Sequence, residues 1–309
     1  MKIKTWSALL AVYLVWGSTY LAIRYTVETL PPFLAAGLRF LVSGLILLMW
    51  RRAAGDSWPT RRQWQATAIV GLLLLLGGNG LVSWAEQRIP SGVAALVIAT
   101  VPLFLVIAEA LRPNGVKPTG PVLGGVILGF AGIYLLAGPA EGSGGLPWDR
   151  IGMSVLFLSS LLWAAGSIYG KTADLPKSAL MTTGAEMLAG GLALLTVSGL
   201  CGEWEGFRWT QVSTNSWLGL AYLIGFGSMI GFVAYAWLLQ NAPIPLVATY
   251  AYVNPLVAVF LGHGFAQEPL TPRLLGASAV IIGSVIVING ADRWRLRKAP
   301  GRAVNEAAR

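Results

Sequence analysis

Arg39, Glu109, Glu186 and His263 lie within long apolar runs, where few other ionisable side chains occur. A charge placed in apolar surroundings costs roughly 3 kcal/mol on insertion scales, so such a residue is kept where it meets an opposite charge, bonds freed carbonyls or passes a proton. Arg39 suits a carboxylate or a set of backbone carbonyls. Glu186 stands at the corresponding place in the second half of the chain, but the two residues enter their runs from opposite ends. At about 1.5 Å of rise per residue each is roughly 10 Å from its own face. Separate roles near opposite gates are therefore expected, and no mutual salt bridge. Glu109 is close enough to the end of its run to reach water. His263, the only histidine, is a candidate for a proton-linked role near the other end.

The stretch LWAAGSIYGKT (162–172) ends like a phosphate-binding loop. Such a loop needs four residues between its first glycine and Gly-Lys-Thr, a strand before it and a helix after it. Here Gly166 and Gly170 enclose three residues, Ala165 stands where the first glycine belongs, and an apolar run precedes. Lys171 falls at the C-terminal end of that run, where a cation complements the helix dipole; a phosphate would want an N-terminus. Nucleotide binding is excluded on these grounds. A lone cysteine, Cys201, makes no internal disulfide and no metal cluster, and a single histidine rules out multi-histidine metal sites. Paired carboxylates and a nucleophile elbow are also missing, so neither an enzyme nor a cofactor or metal is expected.

Uncharged residues offer more. Pro102 and Pro255 sit near the middle of their apolar runs, and each frees the carbonyl four residues back, at Ile98 and Ala251. Broken backbone is tolerated at membrane depth only against protein or a water-filled cavity. Trp16, Ser18 and Tyr20 fall at similar depth to Trp163, Ser167 and Tyr169; Asn79, Ser83 and Trp84, then Tyr235, and then Tyr250, Tyr252 and Asn254 follow on other runs. Tryptophan is ordinarily enriched at membrane interfaces, so Trp16 and Trp163 at mid-depth point to a cavity wall. Tyr20 and Trp84 read more simply as interfacial anchors. The candidate substrate-binding set is Trp16, Ser18, Asn79, Ser83, Pro102, Trp163, Ser167, Tyr235, Tyr250, Asn254 and Pro255, with Arg39, Glu186 and His263 as gating or charge-bearing residues.

The elements that must position these side chains follow from composition. Of 309 residues 55% are hydrophobic and only 11% charged, with a mean hydropathy of +0.66. Soluble domains carry about a quarter charged residues, so this is an integral membrane chain. A span needs about 20 apolar residues, and such runs occur at 6–24, 33–51, 65–86, 91–111, 119–138, 149–170, 178–200, 215–239, 245–266 and 272–290. With a cytoplasmic N-terminus and ten crossings, sixteen of the 22 basic residues fall on the cytoplasmic side and four opposite: Arg88, Arg150, Arg208 and Arg273. This bias sets both termini in the cytoplasm. It also accounts for the net charge of +9 without nucleic acid. The N-terminal run lacks a small-residue cleavage site and reads as a retained helix.

The halves resemble one another. Gly37, Leu41 and Gly44 match Gly184, Leu188 and Gly191 at a constant offset of 147; IATVPLFLVIAEAL aligns with AYVNPLVAVFLGHG, and LGGVILGFAGIYLLAG with LGASAVIIGSVIVING. Five spans per half force the second copy to cross in the opposite sense, the inverted arrangement of many secondary transporters, with substrate near the midplane. The expected fold is an all-α polytopic membrane protein of ten transmembrane helices in two inverted five-helix repeats. The expected divisions are 1–143, 144–292 and a basic cytoplasmic tail at 293–309.

WGSTYLAIR in the first run, PPFLAAGLRF before the second, SGVAALVIATVPLF in the fourth and YAYVNPLVAVFLG in the ninth resemble the EamA-type drug/metabolite transporters, over essentially the whole chain. The resemblance is nearest to bacterial amino-acid and metabolite exporters. It implies a basket of ten helices around a cavity lined by helices 1, 3, 4, 6, 8 and 9. The expected function is export of amino acids or related metabolites across the bacterial inner membrane by alternating access, secondary-active or facilitative. Amphipathic drugs or toxic organic compounds are the alternative cargo. A nucleotide-sugar or organophosphate carrier would want several basic residues at the cavity, and only Arg39 qualifies. The expected partners are the lipid bilayer and a small-molecule substrate.

Overall fold

The computed structural model describes residues 3–111, 117–137, 149–242, 244–247 and 249–298. Arg112, the repeat boundary near 143 and positions 299–309 of the expected basic tail lie outside the described residues.

Among the described residues all regular structure is helical. We label the helices α1 (Ile3–Thr26), α2 (Pro32–Ala53), α3 (Arg61–Ala85), α4 (Ser91–Leu111), α5 (Gly120–Ala137), α6 (Arg150–Gly170), α7 (Ala179–Leu200), α8 (Thr214–Leu238), α9 (Tyr250–Ala266) and α10 (Pro272–Lys298). Seven of them (α1–α4 and α6–α8) are long and apolar enough to cross a membrane, while Gly120–Leu136 and Pro272–Ile288 are shorter apolar helices. Polar residues mark several starts. Thr60 closes a capping box with Gln63, and Asp149, Ser178 and Ser213 each accept a backbone N–H of the helix that follows.

Four helices depart from regularity. α3 is π-helical over Leu72–Gly80, and α8 over Leu223–Ile230. α4 ends one helical piece at Ile98 and begins another at Val101. A short turn, Ile244–Val247, precedes α9, which contains Pro255 in its interior. Pro102 differs from the mid-helix kink expected of it. It is the second residue of the new piece, where the missing N–H has no intrahelical partner to lose.

Lipid is as apolar as leucine, so membrane helices associate through close packing and small residues. The glycines matched between the two halves meet here. A Cβ on Gly44 would lie 2.6 Å from the Leu188 nitrogen and 2.9 Å from the Gly184 oxygen. One on Gly191 would lie 2.6 Å from the Leu41 nitrogen and 3.1 Å from the Gly37 oxygen. α2 and α7 thus touch backbone to backbone. At the other extreme of the bundle α5 packs on α10, with a Gly132 Cβ position 3.1 Å from the Ile281 nitrogen. Between these pairs, α1 packs on α8 and α9, while α6 packs on α3 and α4. α4 also packs on α9. Exposed Leu10, Leu14, Leu45, Ile46, Ile127 and Phe260 form the apolar exterior that a bilayer covers.

Candidate functional site

Trp16, at the middle of α1, is the centre of an aromatic cluster. Its ring centroid is 5.2 Å from Phe232 and 5.0 Å from Tyr235, both of α8, and 5.4 Å from Tyr250 of α9. Tyr235 and Tyr250 stand edge to face at 5.7 Å. The indole Nε1 donates to the Gly227 carbonyl at 3.2 Å, inside the π-helical part of α8. Room for the indole comes from Gly231, where a Cβ would fall 2.3 Å from Nε1. On the α9 side, Tyr13 bonds Thr249 through their hydroxyls. The Asn254 amide nitrogen, turned toward the two carbonyls, donates to Tyr250 and Tyr13 at 3.2 Å each. Pro255 follows directly. The result is an uncharged aromatic wall with its polar atoms engaged. An open apolar groove of about 420 Å³ on the outside of α1 and α8 is lined by Lys4, Ala8, Met229, Ile230, Val233, Ala234 and Trp237, and none of Trp16, Phe232, Tyr235 and Tyr250 lines it.

A tryptophan seated against a glycine of a π-helical part recurs with the halves exchanged. Trp163 of α6 lies against Gly78 in the π-helical part of α3, where a Cβ would come within 2.6 Å of its Cε3. Ser159 of α6 donates to the Gly78 carbonyl at 2.9 Å. Ser167 and Ser83 are occupied by the carbonyls of Trp163 and Asn79 on their own helices, at 2.8 and 3.0 Å. The Asn79 amide reaches Leu74 O at 3.5 Å. Ser18 bridges helices: its hydroxyl meets Tyr222 of α8 at 2.6 Å and the Leu14 and Val15 carbonyls at 2.7 and 2.9 Å. The structure therefore gathers Trp16, Tyr235, Tyr250, Asn254 and Pro255 at α1, α8 and α9. It gathers Trp163, Asn79, Ser83 and Ser167 at α3 and α6, and places Pro102 at the break in α4.

The charged candidates sit apart. Arg39 is 5% exposed, donates from Nε to Ser228 Oγ at 3.0 Å and lays its guanidinium 4.6 Å from the Phe40 ring centroid. It is not paired with Glu186, which is half-buried on α7. Glu109 meets Lys171 at 3.3 Å, so the lysine of the Gly-Lys-Thr stretch is an ion-pair partner at the end of α6. His263 is exposed and bonds the Glu268 carbonyl through Nδ1 at 2.9 Å. Trp84 is partly buried against two core clusters, with Arg88 4.8 Å from its ring centroid. Tyr20, too, is partly buried against the core.

Sequence reasoning missed three acidic residues at the end of the bundle remote from the termini. Glu203, before α8, accepts from the Phe33 and Leu34 amides of α2 at 3.2 and 2.9 Å. Glu268, between α9 and α10, accepts from the Ser91 and Gly92 amides of α4 at 2.7 and 3.0 Å. Glu86, capping α3, is 0% exposed. Each stands at the margin of an apolar run, where an acidic residue reads as the start of a solvated loop.

Two stretches of the chain, residues 4–138 and 150–290, match the model of the EamA-like transporter family. The chain belongs to the EamA-like transporter family. It is therefore a multi-pass membrane transporter acting on some small molecule. Among its relatives is YedA, an inner membrane transporter of Escherichia coli strain K12, 41% identical over 283 residues that cover 91% of this chain and 89% of that protein. The transporter YvbV of Bacillus subtilis strain 168 is 26% identical over 308 residues, covering 99% and 98%. PecM of Dickeya dadantii is 26% identical over 291 residues, covering 92% of each. A solved structure superposes with a TM-score of 0.61 at 22% identity, over 93% of this chain and 96% of the other, which shows that the two share a fold.

Proposed function

We propose that this EamA-like transporter exports amino acids or related small metabolites across a bacterial inner membrane by alternating access. The observation that carries the reading is the uncharged aromatic wall of Trp16, Phe232, Tyr235 and Tyr250, which lies where α1, α8 and α9 converge. Aromatic faces bind apolar side chains and the ammonium group alike, and the cluster offers no set of cations for a phosphate. The relative YedA, named an inner membrane transporter, supports the location, and the basic bias supports cytoplasmic termini.

Ten crossings in two inverted repeats, 1–143 and 144–292, underlie the mechanism. Four pairs of features support that symmetry: π-helical parts in α3 and α8, tryptophans of α6 and α1 seated on them, breaks at α4 and before α9, and the glycine seam of α2 with α7. Arg39 and Glu186 are assigned to opposite gates.

The test is uptake of radiolabelled neutral amino acids into liposomes holding the purified protein. Trp163→Ala is expected to reduce flux several-fold while the protein remains monodisperse; wild-type flux would remove Trp163 from the path. The uncharged aromatic character of the same wall also suits amphipathic organic compounds as a second cargo class. Flux of such compounds with none of amino acids would establish that reading instead.

A further inference from the structure

Glu86 is fully buried, and neither of its carboxyl oxygens has a hydrogen-bond partner among the described residues. The titratable and charged groups that face it are Tyr20 and Arg24 from α1, Arg39 from α2 and Glu268 from the connection between α9 and α10. The hydrogen bonds of its charged neighbours go to groups other than its carboxyl. Arg24 donates to the backbone carbonyl of Glu86 at 2.8 Å, capping α3 and leaving the carboxyl alone. Arg39 is bonded to Ser228, and Glu268 is held by the two amides that open α4. Burial without a hydrogen bond strongly disfavours the ionised carboxylate, and the like charge of Glu268 adds to the penalty, while the positive charges of Arg24 and Arg39 offset part of it. In this form of the protein Glu86 therefore carries a proton.

The surrounding end of the bundle is fastened shut. Tyr25 of α1 donates to the Phe265 carbonyl of α9 at 2.6 Å, and Thr29 bonds Ser216 of α8 at 2.8 Å. Ser216 in turn donates to the Tyr25 carbonyl at 2.8 Å. Arg88, after α3, pairs with Asp149, before α6, at 3.3 Å. We propose that Glu86 is a proton-binding site of the outer gate: the gate closes only over a protonated Glu86, and opening to water releases that proton. Closing takes one proton from the outer solution onto a carboxyl oxygen. The idea rests on the alternating-access reading and adds its ion to it.

Ser91, fully buried with an unpartnered hydroxyl beside the Glu268 clasp, reports on closure. The experiment uses the full-length protein carrying Ser91→Cys, labelled with a water-soluble maleimide between about pH 5 and 9. The exposed native Cys201 serves as internal standard and cancels the pH dependence of thiol chemistry. The labelling ratio of the introduced cysteine to Cys201 is expected to rise with pH, by up to about tenfold per unit while the carboxyl titrates. Glu86→Gln should hold the ratio at its acid value throughout, and Glu86→Leu, equally unable to ionise, serves if the glutamine variant does not fold. His263→Gln should keep the slope. A flat ratio with Glu86 present, or a slope that survives its replacement, overturns the proposal. Amino-acid flux in the same liposomes is read separately. A flat ratio with flux removes the latch alone, and a sloping ratio without flux removes the amino-acid cargo alone.

Discussion

The start of α2 is held by a residue 169 positions or more away in sequence, and replacing it tests the account of the distal end. A helix leaves its first amides without intrahelical acceptors. Here Pro32 has none to offer, and the Ala35 amide bonds the Pro31 carbonyl at 2.9 Å. The Phe33 and Leu34 amides remain, and the Glu203 carboxylate accepts both, at 3.2 and 2.9 Å, while also accepting from Ser198 at 2.7 Å. Glu203→Gln keeps one acceptor oxygen and turns an NH₂ toward a donor. A hydrogen bond to a charged group contributes about 1.5–3 kcal/mol, and an anion at a helix N-terminus about 0.3–1 kcal/mol more. Glu203 is half-buried, so solvent screening reduces the sum, and a loss of about 2 kcal/mol is expected. The assay is reversible unfolding in mixed micelles, followed by tryptophan fluorescence, with exposed Glu205→Gln as the control. A loss under about 0.5 kcal/mol, the range of ordinary surface substitutions, would refute the role given to Glu203.

Gly78→Ala is expected to destabilise by about 1–3 kcal/mol through overlap with Trp163, outweighing the roughly 1 kcal/mol that alanine gains in a helix. Gly225→Ala, where nothing lies within 4 Å of the added carbon, should be neutral or stabilising in the same unfolding assay. Hydrogen bonds from Arg51, and next from Ser178, hold the Asp56 carboxyl below the usual carboxylate range. Its contribution to stability is therefore present above that range and lost as pH falls through it. Asp56→Asn should flatten that acid limb, read from midpoints of thermal unfolding between about pH 3 and 7.

The spans were legible because about 20 consecutive apolar residues have few other uses, and the described helices fall on those runs. Two kinds of information were not local. The π-helical parts of α3 and α8 read LLLLLGGNG and LIGFGSMI, and glycines in an apolar run say only that something comes close. That each such part seats a tryptophan from another helix is a fact of packing. Glu86 was hidden for a different reason. An acidic residue ending an apolar run normally marks the water boundary, and whether its carboxyl turns inward is decided by α1, α2 and the connection after α9, all far away in sequence. Pro102 shows the converse: its type was informative, but its place in the helix depended on where α4 stops and resumes.

The seam between α2 and α7 has a mechanical consequence. Two backbones that leave no space for a methyl group form a close, continuous seam, so the pair is expected to move as one plate. The other helices are ranged away from it in order, α3 and α8 first, then α1 and α6, then α4 and α9, with α5 and α10 at the far edge. In any tilting about that plate, displacement grows with distance from the axis. The smallest excursions fall on the π-helical parts beside the plate and the largest on the outermost helices. On the alternating-access proposal, substitutions that loosen the plate would blunt the whole stroke, although they stand far from the residues that travel most.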